Sequence, residues 1–144
     1  MKHEGGIPLP HRWPMLFVDS YEVKEDRIEA HYRVDENLPM FQGHFPGNPI
    51  MPGVLLVEMI AQVGGVLIYH MLGKDFKNPV TLLTDIKNAR FKDIVRPGDD
   101  LTIKATATPL KAGFFTIDGT VEKDGKVCAK ATVRVLVREG EDHA

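Results

Sequence analysis

Hydrophobic and polar residues alternate along several segments of the chain, which is the pattern of half-buried β-strands. The clearest alternation covers residues 27–34, where apolar side chains take every second position and charged or polar ones take the positions between. An apolar run at residues 16–23 precedes it, and the charged residues 24–26 predict a turn between the two. The sequence therefore predicts an antiparallel hairpin in this region.

The pattern becomes helical over residues 54–72. Apolar residues fall on nearly every side of such a helix, so it must be wrapped by other structure rather than laid on a surface. Glu58 and Gln62 share one stripe of this helix with Gly65. The segment is long enough to cross a membrane, but two polar side chains near its middle favour the buried helix of a soluble domain. We therefore expect no membrane insertion.

Four further segments after the helix have strand character, namely residues 80–91, 101–108, 114–122 and 127–137. Asp124-Gly125 between the last two is a strong hairpin signal. In the last segment valine and alanine occupy one face, which places Cys128 on the opposite, polar face. Two strands, a buried helix and four more strands predict an α+β domain with an antiparallel sheet curled around a long central helix.

Length and composition narrow the range of functions. A chain of 144 residues suffices for one domain, residues 1–144, and is too short to argue for two. The net charge of −2 and the scattered basic residues argue against nucleic-acid binding. The single cysteine, Cys128, excludes an internal disulfide and fits a reducing compartment. Because the first residues form no apolar run of the signal-peptide type, the expected location is the cytoplasm.

Two side chains are candidates for acid–base chemistry. Glu58 lies in an otherwise apolar helix, where an unanswered charge is costly. His44 lies in residues 43–53, a loop whose prolines and glycines fix its path before the helix begins. An imidazole and a partly desolvated carboxyl that reach one cavity can act as general base and general acid. Each also has a structural interpretation, because a loop histidine is ordinarily a surface or hydrogen-bonding residue and the glutamate could pair with a cation.

Other polar residues favour structural roles. We interpret Gln62 as a hydrogen-bonding partner rather than a reactant, and His11 and Arg12 as residues that tie the N-terminal segment to the body of the protein. No metal-ligand spacing joins the remaining histidines to one another or to Cys128, so no metal site is expected. The glycines at residues 64–65 are interpreted as permitting close helix packing or tunnel space.

Short motifs spread over residues 8–137 carry a family resemblance. The main ones are Pro10-His11-Arg12-Trp13-Pro14, Gly43-His44-Phe45-Pro46-Gly47, Met51-Pro52-Gly53-Val54-Leu55, Glu58-Met59-Ile60-Ala61-Gln62 and Arg96-Pro97-Gly98-Asp99. Together they resemble the 3-hydroxyacyl-[acyl-carrier-protein] dehydratases of type II fatty acid synthesis, the FabZ-like enzymes. The resemblance implies a hot-dog fold and a homodimer whose sheets join edge to edge, often in a trimer of dimers.

The same resemblance implies a reaction. Its substrate is a (3R)-3-hydroxyacyl group on the phosphopantetheine of acyl carrier protein, and its product is a trans-2-enoyl thioester; no metal or redox cofactor takes part. His44 would take the C2 proton, and Glu58, held protonated by its apolar surroundings, would give a proton to the departing C3 hydroxyl. In such enzymes the two groups of one site come from opposite subunits. Glutamate rather than aspartate at position 58 favours dehydration without isomerisation.

Further substrate contacts are expected where the helix begins. The backbone N–H groups of Gly53 and Val54 are placed to bind the enolate oxygen, with help from the helix dipole. Phe45 and Gln62 are also expected to line the substrate site.

A modest basic cluster, Lys87, Arg90 and Lys92, could contact an acidic carrier protein. The chain also departs from the family pattern near this cluster. Lys87 stands where aspartate is common, and Leu82 and Leu83 replace frequent aromatic residues near the tunnel entrance. The resemblance therefore leaves the acyl chain length and its gating open.

Two other functions remain possible from the sequence. In a hot-dog acyl thioesterase a carboxylate would direct water at the thioester carbonyl, but the histidine at position 44 argues against it. A non-catalytic acyl-thioester-binding protein would have no need of both His44 and Glu58. A dehydratase of a specialised pathway, such as polyketide or polyene assembly, also stays open.

Overall fold

A seven-stranded antiparallel sheet wraps around one long helix in the part of the chain that the structure describes. The computed structural model describes residues 2–4, 6–73 and 79–140, the first three by their backbone alone. In chain order the elements are β1 (Lys2–Glu4), β2 (Ser20–Lys24), β3 (Arg27–Arg33), a 3-10 helix (Pro39–Gln42), α1 (Gly53–Leu72), β4 (Pro79–Phe91), β5 (Asp100–Pro109), a 3-10 turn (Lys111–Gly113), β6 (Phe114–Lys123) and β7 (Lys126–Glu139).

The strands follow the spatial order β1-β2-β3-β5-β6-β7-β4, so β1 and β4 form the two edges of the sheet. This is the predicted α+β arrangement, with β1 as an additional strand. The predicted first strand begins later than expected, at Ser20, because the preceding backbone bonds to the helix instead of to a neighbouring strand. The Phe17 N–H donates to Gln62 Oε1 over 2.9 Å, and Gln62 Nε2 donates to the Met15 carbonyl over 2.7 Å.

The helix α1 begins one residue before the predicted start and ends where the sequence pattern ends. Although it is long and apolar enough to cross a membrane, 67% of its most apolar window is buried inside the protein, as expected for the core helix of a soluble domain. A Cβ added at Gly64 would lie 2.5 Å from Ile117, so this glycine permits close packing of α1 on β6. One of the two expected roles of residues 64–65 is thereby confirmed for Gly64.

Cys128 is fully buried, and its predicted position on the polar face of the last strand is wrong. Val121 of β6 pairs with Ala129, but the next residue, Glu122, pairs with Val127. Cys128 is thus the extra residue of a β-bulge, and a bulge turns a side chain away from the face that simple alternation assigns to it. The Cys128 carbonyl accepts a hydrogen bond from the Lys92 N–H over 2.7 Å, which holds the end of β4 against β7.

The edge strand β4 pairs with β7 along one side and has no described neighbour along the other. Its register shifts twice, at Thr84 and at Lys87. Leu83, Ile86 and Phe91 pair with buried residues of β7, which places them on the helix-facing side of the sheet. They are nevertheless 42%, 53% and 52% exposed. We call these three side chains the open apolar strip of β4.

Candidate active site

The carboxyl of Glu58 faces a small cavity between α1, β4 and the N-terminal segment. Gln62 Nε2 donates to Glu58 Oε2 over 2.8 Å, and His11 Nε2 lies 3.4 Å from the same oxygen. The cavity has a volume of about 50 Å³. Its lining residues come mainly from the N-terminal segment, from α1 and from β4, among them Leu9, His11, Glu58, Ala61, Gln62, Thr81 and Leu83. The Glu58 side chain is 23% exposed, so it is desolvated but still reachable.

Gln62 holds this corner together. It is buried, and its amide contacts the backbone at Met15 and Phe17 as well as the carboxylate of Glu58. Both amide N–H groups therefore already donate to protein oxygens. This is the structural role that the sequence suggested for Gln62, which also lines the cavity that Glu58 faces; its contact with a substrate stays a prediction.

The pKa of Glu58 is lowered from its usual value, which reverses the expected direction. Burial raises the pKa, as predicted from the apolar neighbours, but the hydrogen bonds from His11 and Gln62 and the electrostatic effect of His11 together lower it by more. The carboxyl of the single chain is therefore ionised at neutral pH. The expectation that apolar surroundings alone keep Glu58 protonated was wrong, because two hydrogen-bond donors also contact its carboxyl. One is Gln62, in the next turn of α1, and the other is His11, which the fold brings there from the N-terminal segment.

His11 belongs to the site, although the sequence indicated only a structural role. Arg12 Nη1 donates to the carbonyls of Leu9 and His11 over 2.9 and 2.7 Å, which shapes the turn that directs His11 towards Glu58. His11 Nδ1 is buried and has no hydrogen-bond partner among the described residues. In the sequence, the Pro-His-Arg motif was the only feature that marked His11 as important. The motif does not show that this histidine contacts α1.

His44 lies in the loop before α1 and has a fixed orientation. Its Nδ1 lies 2.9 Å from the Ile50 carbonyl oxygen, and its ring stacks on Phe45 with the centroids 4.2 Å apart. The peptide bond between His44 and Phe45 is cis. Because a carbonyl oxygen can only accept, Nδ1 carries the hydrogen, and Nε2 of the neutral ring is left with a free lone pair. Phe45 is half exposed at the loop surface, where a ligand can reach it.

Within one chain His44 and Glu58 are not in direct contact. Among the described residues no hydrogen bond or ion pair joins them, and His44 does not line the cavity that contains Glu58.

The start of α1 presents free backbone donors. The Leu55 N–H donates to the Pro52 carbonyl over 3.0 Å, whereas the N–H groups of Gly53 and Val54 have no acceptor among the described residues. A Cβ added at Gly53 would lie 3.1 Å from the ring of Phe91, so the helix start packs closely on the end of β4. These two N–H groups point out of the positive end of a 20-residue helix and can bind a negatively charged oxygen.

The three cations predicted to form a basic cluster, Lys87, Arg90 and Lys92, are all exposed on or just after β4. Arg90 and Lys92 flank Phe91 in the sequence at the end of β4, and the ring of Phe91 itself lies against the helix start. In the described ranges, no group of three or more His, Cys, Asp or Glu side chains could hold a metal ion.

Residues 9–132 match the family described as the FabA-like domain. A 3-hydroxyacyl-[acyl-carrier-protein] dehydratase FabZ from Geobacter metallireducens is 44% identical to the chain over 128 residues, which cover 88% of this chain and 85% of the relative. The enzyme of the same name from Petrotoga mobilis is 43% identical over 132 residues, covering 91% of this chain and 93% of the relative.

Solved structures give the fold. The dehydratase heterocomplex ApeI:P from Xenorhabdus doucetiae is similar with a TM-score of 0.77 at 20% identity, covering 92% of this chain and 89% of that chain. A thioesterase from Haemophilus influenzae is similar with a TM-score of 0.60 at 22% identity, covering 85% of this chain and 78% of that chain. At such identities these likenesses speak for the fold alone, and the expected hot-dog fold is confirmed.

Proposed function

The chain belongs to the FabA-like family, as a relative of its 3-hydroxyacyl-[acyl-carrier-protein] dehydratases, and from this premise we propose that His44 and Glu58 carry out its reaction. The chain is a dehydratase of fatty acid biosynthesis that removes water from a 3-hydroxyacyl group on acyl carrier protein. The substrate in our proposal is the (3R) hydroxy thioester and the product is the trans-2-enoyl thioester. His44 is the general base and Glu58 the general acid.

The orientation of His44 is the observation that best supports this assignment. The Ile50 carbonyl accepts from Nδ1, so in the neutral ring the lone pair of Nε2 is left to accept a proton. A hydrogen at C2 of a thioester is weakly acidic, and a fixed imidazole nitrogen is suited to remove it. The prolines and glycines of the loop hold the ring in place, so little reorganisation is needed when substrate binds.

Protons balance between the two groups. His44 Nε2 takes the C2 proton while the C2–C3 double bond forms, and Glu58 gives its proton to the C3 hydroxyl, which leaves as water. The proton on His44 then returns to Glu58 through solvent. The reactive enzyme therefore carries one proton that the pair shares, in either direction of the reaction.

The ionised Glu58 of the single chain must gain this proton before it can act as an acid. A bound acyl group and a second subunit would remove the water that still reaches its side chain, and loss of solvation raises a carboxyl pKa. In our scheme substrate binding thus restores the acid form.

The negative charge that develops on the thioester oxygen needs donors. The unpaired N–H groups of Gly53 and Val54 supply two, at the positive end of α1. The proposed reaction moves only protons and the leaving hydroxyl, so we assign it no cofactor beyond the phosphopantetheine that carries the substrate.

We assign the two halves of each site to two copies of the chain. This proposal is supported by the lack of a direct contact between His44 and Glu58 in the described part of one chain, and by the edge of β4 without a described neighbour and its open apolar strip. A second copy that pairs along β4 would cover the strip and, by two-fold symmetry, form two equivalent sites. A further assembly into a trimer of dimers stays a prediction from the family resemblance.

Acyl carrier protein is the proposed protein partner, with Lys87, Arg90 and Lys92 as its contact. Support comes from their exposure and from the position of Arg90 and Lys92 next to Phe91 in the sequence, whose ring lies against the helix start where the thioester would bind. The cytoplasm is the proposed location.

The function is tested by incubating the purified protein with a 3-hydroxyacyl thioester and following enoyl absorbance and free thiol together. Enoyl formation without thiol supports the dehydratase, thiol release would indicate a thioesterase, and neither signal would indicate a binding protein. A His44→Ala protein that remains a folded oligomer is expected to lose turnover by about 10²–10⁴-fold. Normal turnover in this variant would remove His44 from the mechanism.

A further inference from the structure

Leu9 separates two cavities. Its buried side chain lines the small cavity at Glu58, and it also lines a groove of about 400 Å³ that opens on the far side of the N-terminal segment. The groove is lined mainly by apolar groups, among them Ile7, Tyr69 near the end of α1 and Val80 of β4. The side chain of Leu9 therefore stands between the catalytic carboxyl and an apolar groove.

The stripe of α1 that carries Glu58 leads towards this partition. Gly65 lies two turns further along the helix, about 10 Å away at 1.5 Å rise per residue. A Cβ added there would lie 3.3 Å from Thr81 Oγ1 and 3.7 Å from Leu9 Cδ2. Gly65, Thr81 and Leu9 thus meet at the end of the cavity that is remote from Glu58, and any chain that passes beyond this point must displace Leu9.

The cavity in front of Leu9 is small. Its volume of about 50 Å³ is a third of the ~150 Å³ of a cavity that accepts benzene, so it holds roughly two carbon atoms. Groups that reach it enter beside Glu58 and His11 and then meet Ala61, Leu83 and Leu9, which suit a hydrocarbon.

We propose that the acyl chain of the substrate runs from Glu58 along this stripe and that Leu9 is the stop that limits its length. The inference rests on the proposed function and identifies the specificity-determining residue of the same site. A short acyl chain ends against Leu9, whereas a longer one has to push this side chain aside to reach the groove. Opening the partition joins the two cavities and lets the chain continue into apolar surroundings.

The test compares kcat/KM for 3-hydroxybutanoyl and 3-hydroxydecanoyl thioesters in the wild-type protein and in variants. In Leu9→Ala the ratio of long-chain to short-chain kcat/KM is expected to rise at least tenfold, because each methylene group that becomes buried contributes about fourfold. Leu9→Phe is expected to lower the same ratio. An active, folded Leu9→Ala protein whose ratio stays within twofold of wild type would overturn the proposal.

A second substitution separates a blocked passage from general loosening. Gly65→Ala places a methyl group at the junction, so the double variant Leu9→Ala with Gly65→Ala is expected to lose most of the gain in long-chain activity. Ile7→Ala is the matched control, because Ile7 lines the groove but not the cavity, so its truncation does not open the partition and its ratio should not rise. An equal gain in Ile7→Ala would contradict a specific role for Leu9.

Two further results keep the test decisive. If thermal unfolding shows that Leu9→Ala does not fold, Leu9→Val and Leu9→Phe take its place, and ratios that do not move in opposite directions refute the stop. If wild type dehydrates neither thioester, the proposed function fails, whereas dehydration with an unchanged ratio in the variants refutes only the role of Leu9.

Discussion

His11 Nε2 lies 3.4 Å from Glu58 Oε2, so a residue of the N-terminal segment reaches the candidate acid on the central helix. The contact exists because the N-terminal segment is bound to α1 by Gln62, which also donates to Glu58. His11 thereby affects both the orientation and the charge of the carboxyl. It is a positioning residue that acts through Glu58.

The first prediction concerns the pH dependence of the reaction. His11 lowers the pKa of Glu58, so His11→Ala should raise that pKa. At low pH both His44 and Glu58 are protonated, and activity is lost because no base remains. The fall of kcat/KM on the acid side, the acid limb, therefore reports the pKa of the group that loses its proton first, the Glu58 carboxyl. This limb should therefore move to higher pH in His11→Ala. Among the described residues in contact with Glu58, His11 is the titratable one, since Gln62, Thr81 and Leu83 do not ionise in this range.

His11→Gln serves as its control, since it can retain a hydrogen-bond donor without the positive charge. A partial shift of the acid limb in His11→Gln and a larger one in His11→Ala would separate the two causes. If kcat falls in both variants while the limb stays in place, His11 has only a structural role.

The second prediction concerns the carrier protein. Reversal of charge in the double variant Arg90→Glu with Lys92→Glu should raise KM for a carrier-bound substrate by roughly tenfold, because like charges weaken the encounter with an acidic partner. Small thioesters should react as before. The difference should shrink at high salt, since exposed charges are screened. A matched reversal at Lys111, in the 3-10 turn before β6, and at Lys126, the exposed first residue of β7, should leave both substrates unaffected. Equal effects on the two substrates would remove the docking role.

The third prediction tests the packing of α1 on β6. The Cβ of Gly64→Ala would lie 2.5 Å from Ile117, which is fully buried and has no room to move. Overpacking of this kind costs about 1–3 kcal/mol, or roughly 3–10 °C in Tm. Gly65→Ala is the neighbouring control, because its Cβ meets only contacts of 3.3 Å and longer, and alanine is the better helix former. Thermal unfolding should therefore separate the two variants, and equal Tm values would contradict this account of residues 64–65.

Strong, long patterns in the sequence predicted most of the fold. The predicted start of the helix is only one residue from the observed one, because an apolar run of that length with helical spacing is typical of no other element. The strand β1 was missed because three residues show no period. The burial of Cys128 was missed because the bulge depends on the pairing of β7 with β6, which alternation along one strand does not contain.

The sequence predicted which residues form the candidate site, but it did not predict their charge states. Burial of Glu58 could be read from its apolar neighbours, but the lowered pKa comes from two donors, and one of these, His11, is distant in the chain. The free Nε2 of His44 also depends on a loop contact, the hydrogen bond to Ile50. The sequence could not show that the two candidate groups lack a direct contact in one chain, since that follows from the path of the loop relative to α1.

The last prediction tests whether two chains build each site. His44→Ala and Glu58→Gln should each be inactive, but a mixed dimer of the two variants would contain one site with an intact His44 from one chain and an intact Glu58 from the other. Random exchange in an equal mixture makes about half of the dimers mixed, so activity should recover to about a quarter of wild type. Co-expression with two different affinity tags, followed by purification on both, should isolate the mixed dimer and give about half of wild-type turnover per dimer.

Recovery is impossible when both groups of a site come from one chain, because each chain then lacks one of them. A doubly tagged, folded dimer without activity would therefore refute the shared site and require the loop of His44 to close on Glu58 within a single chain.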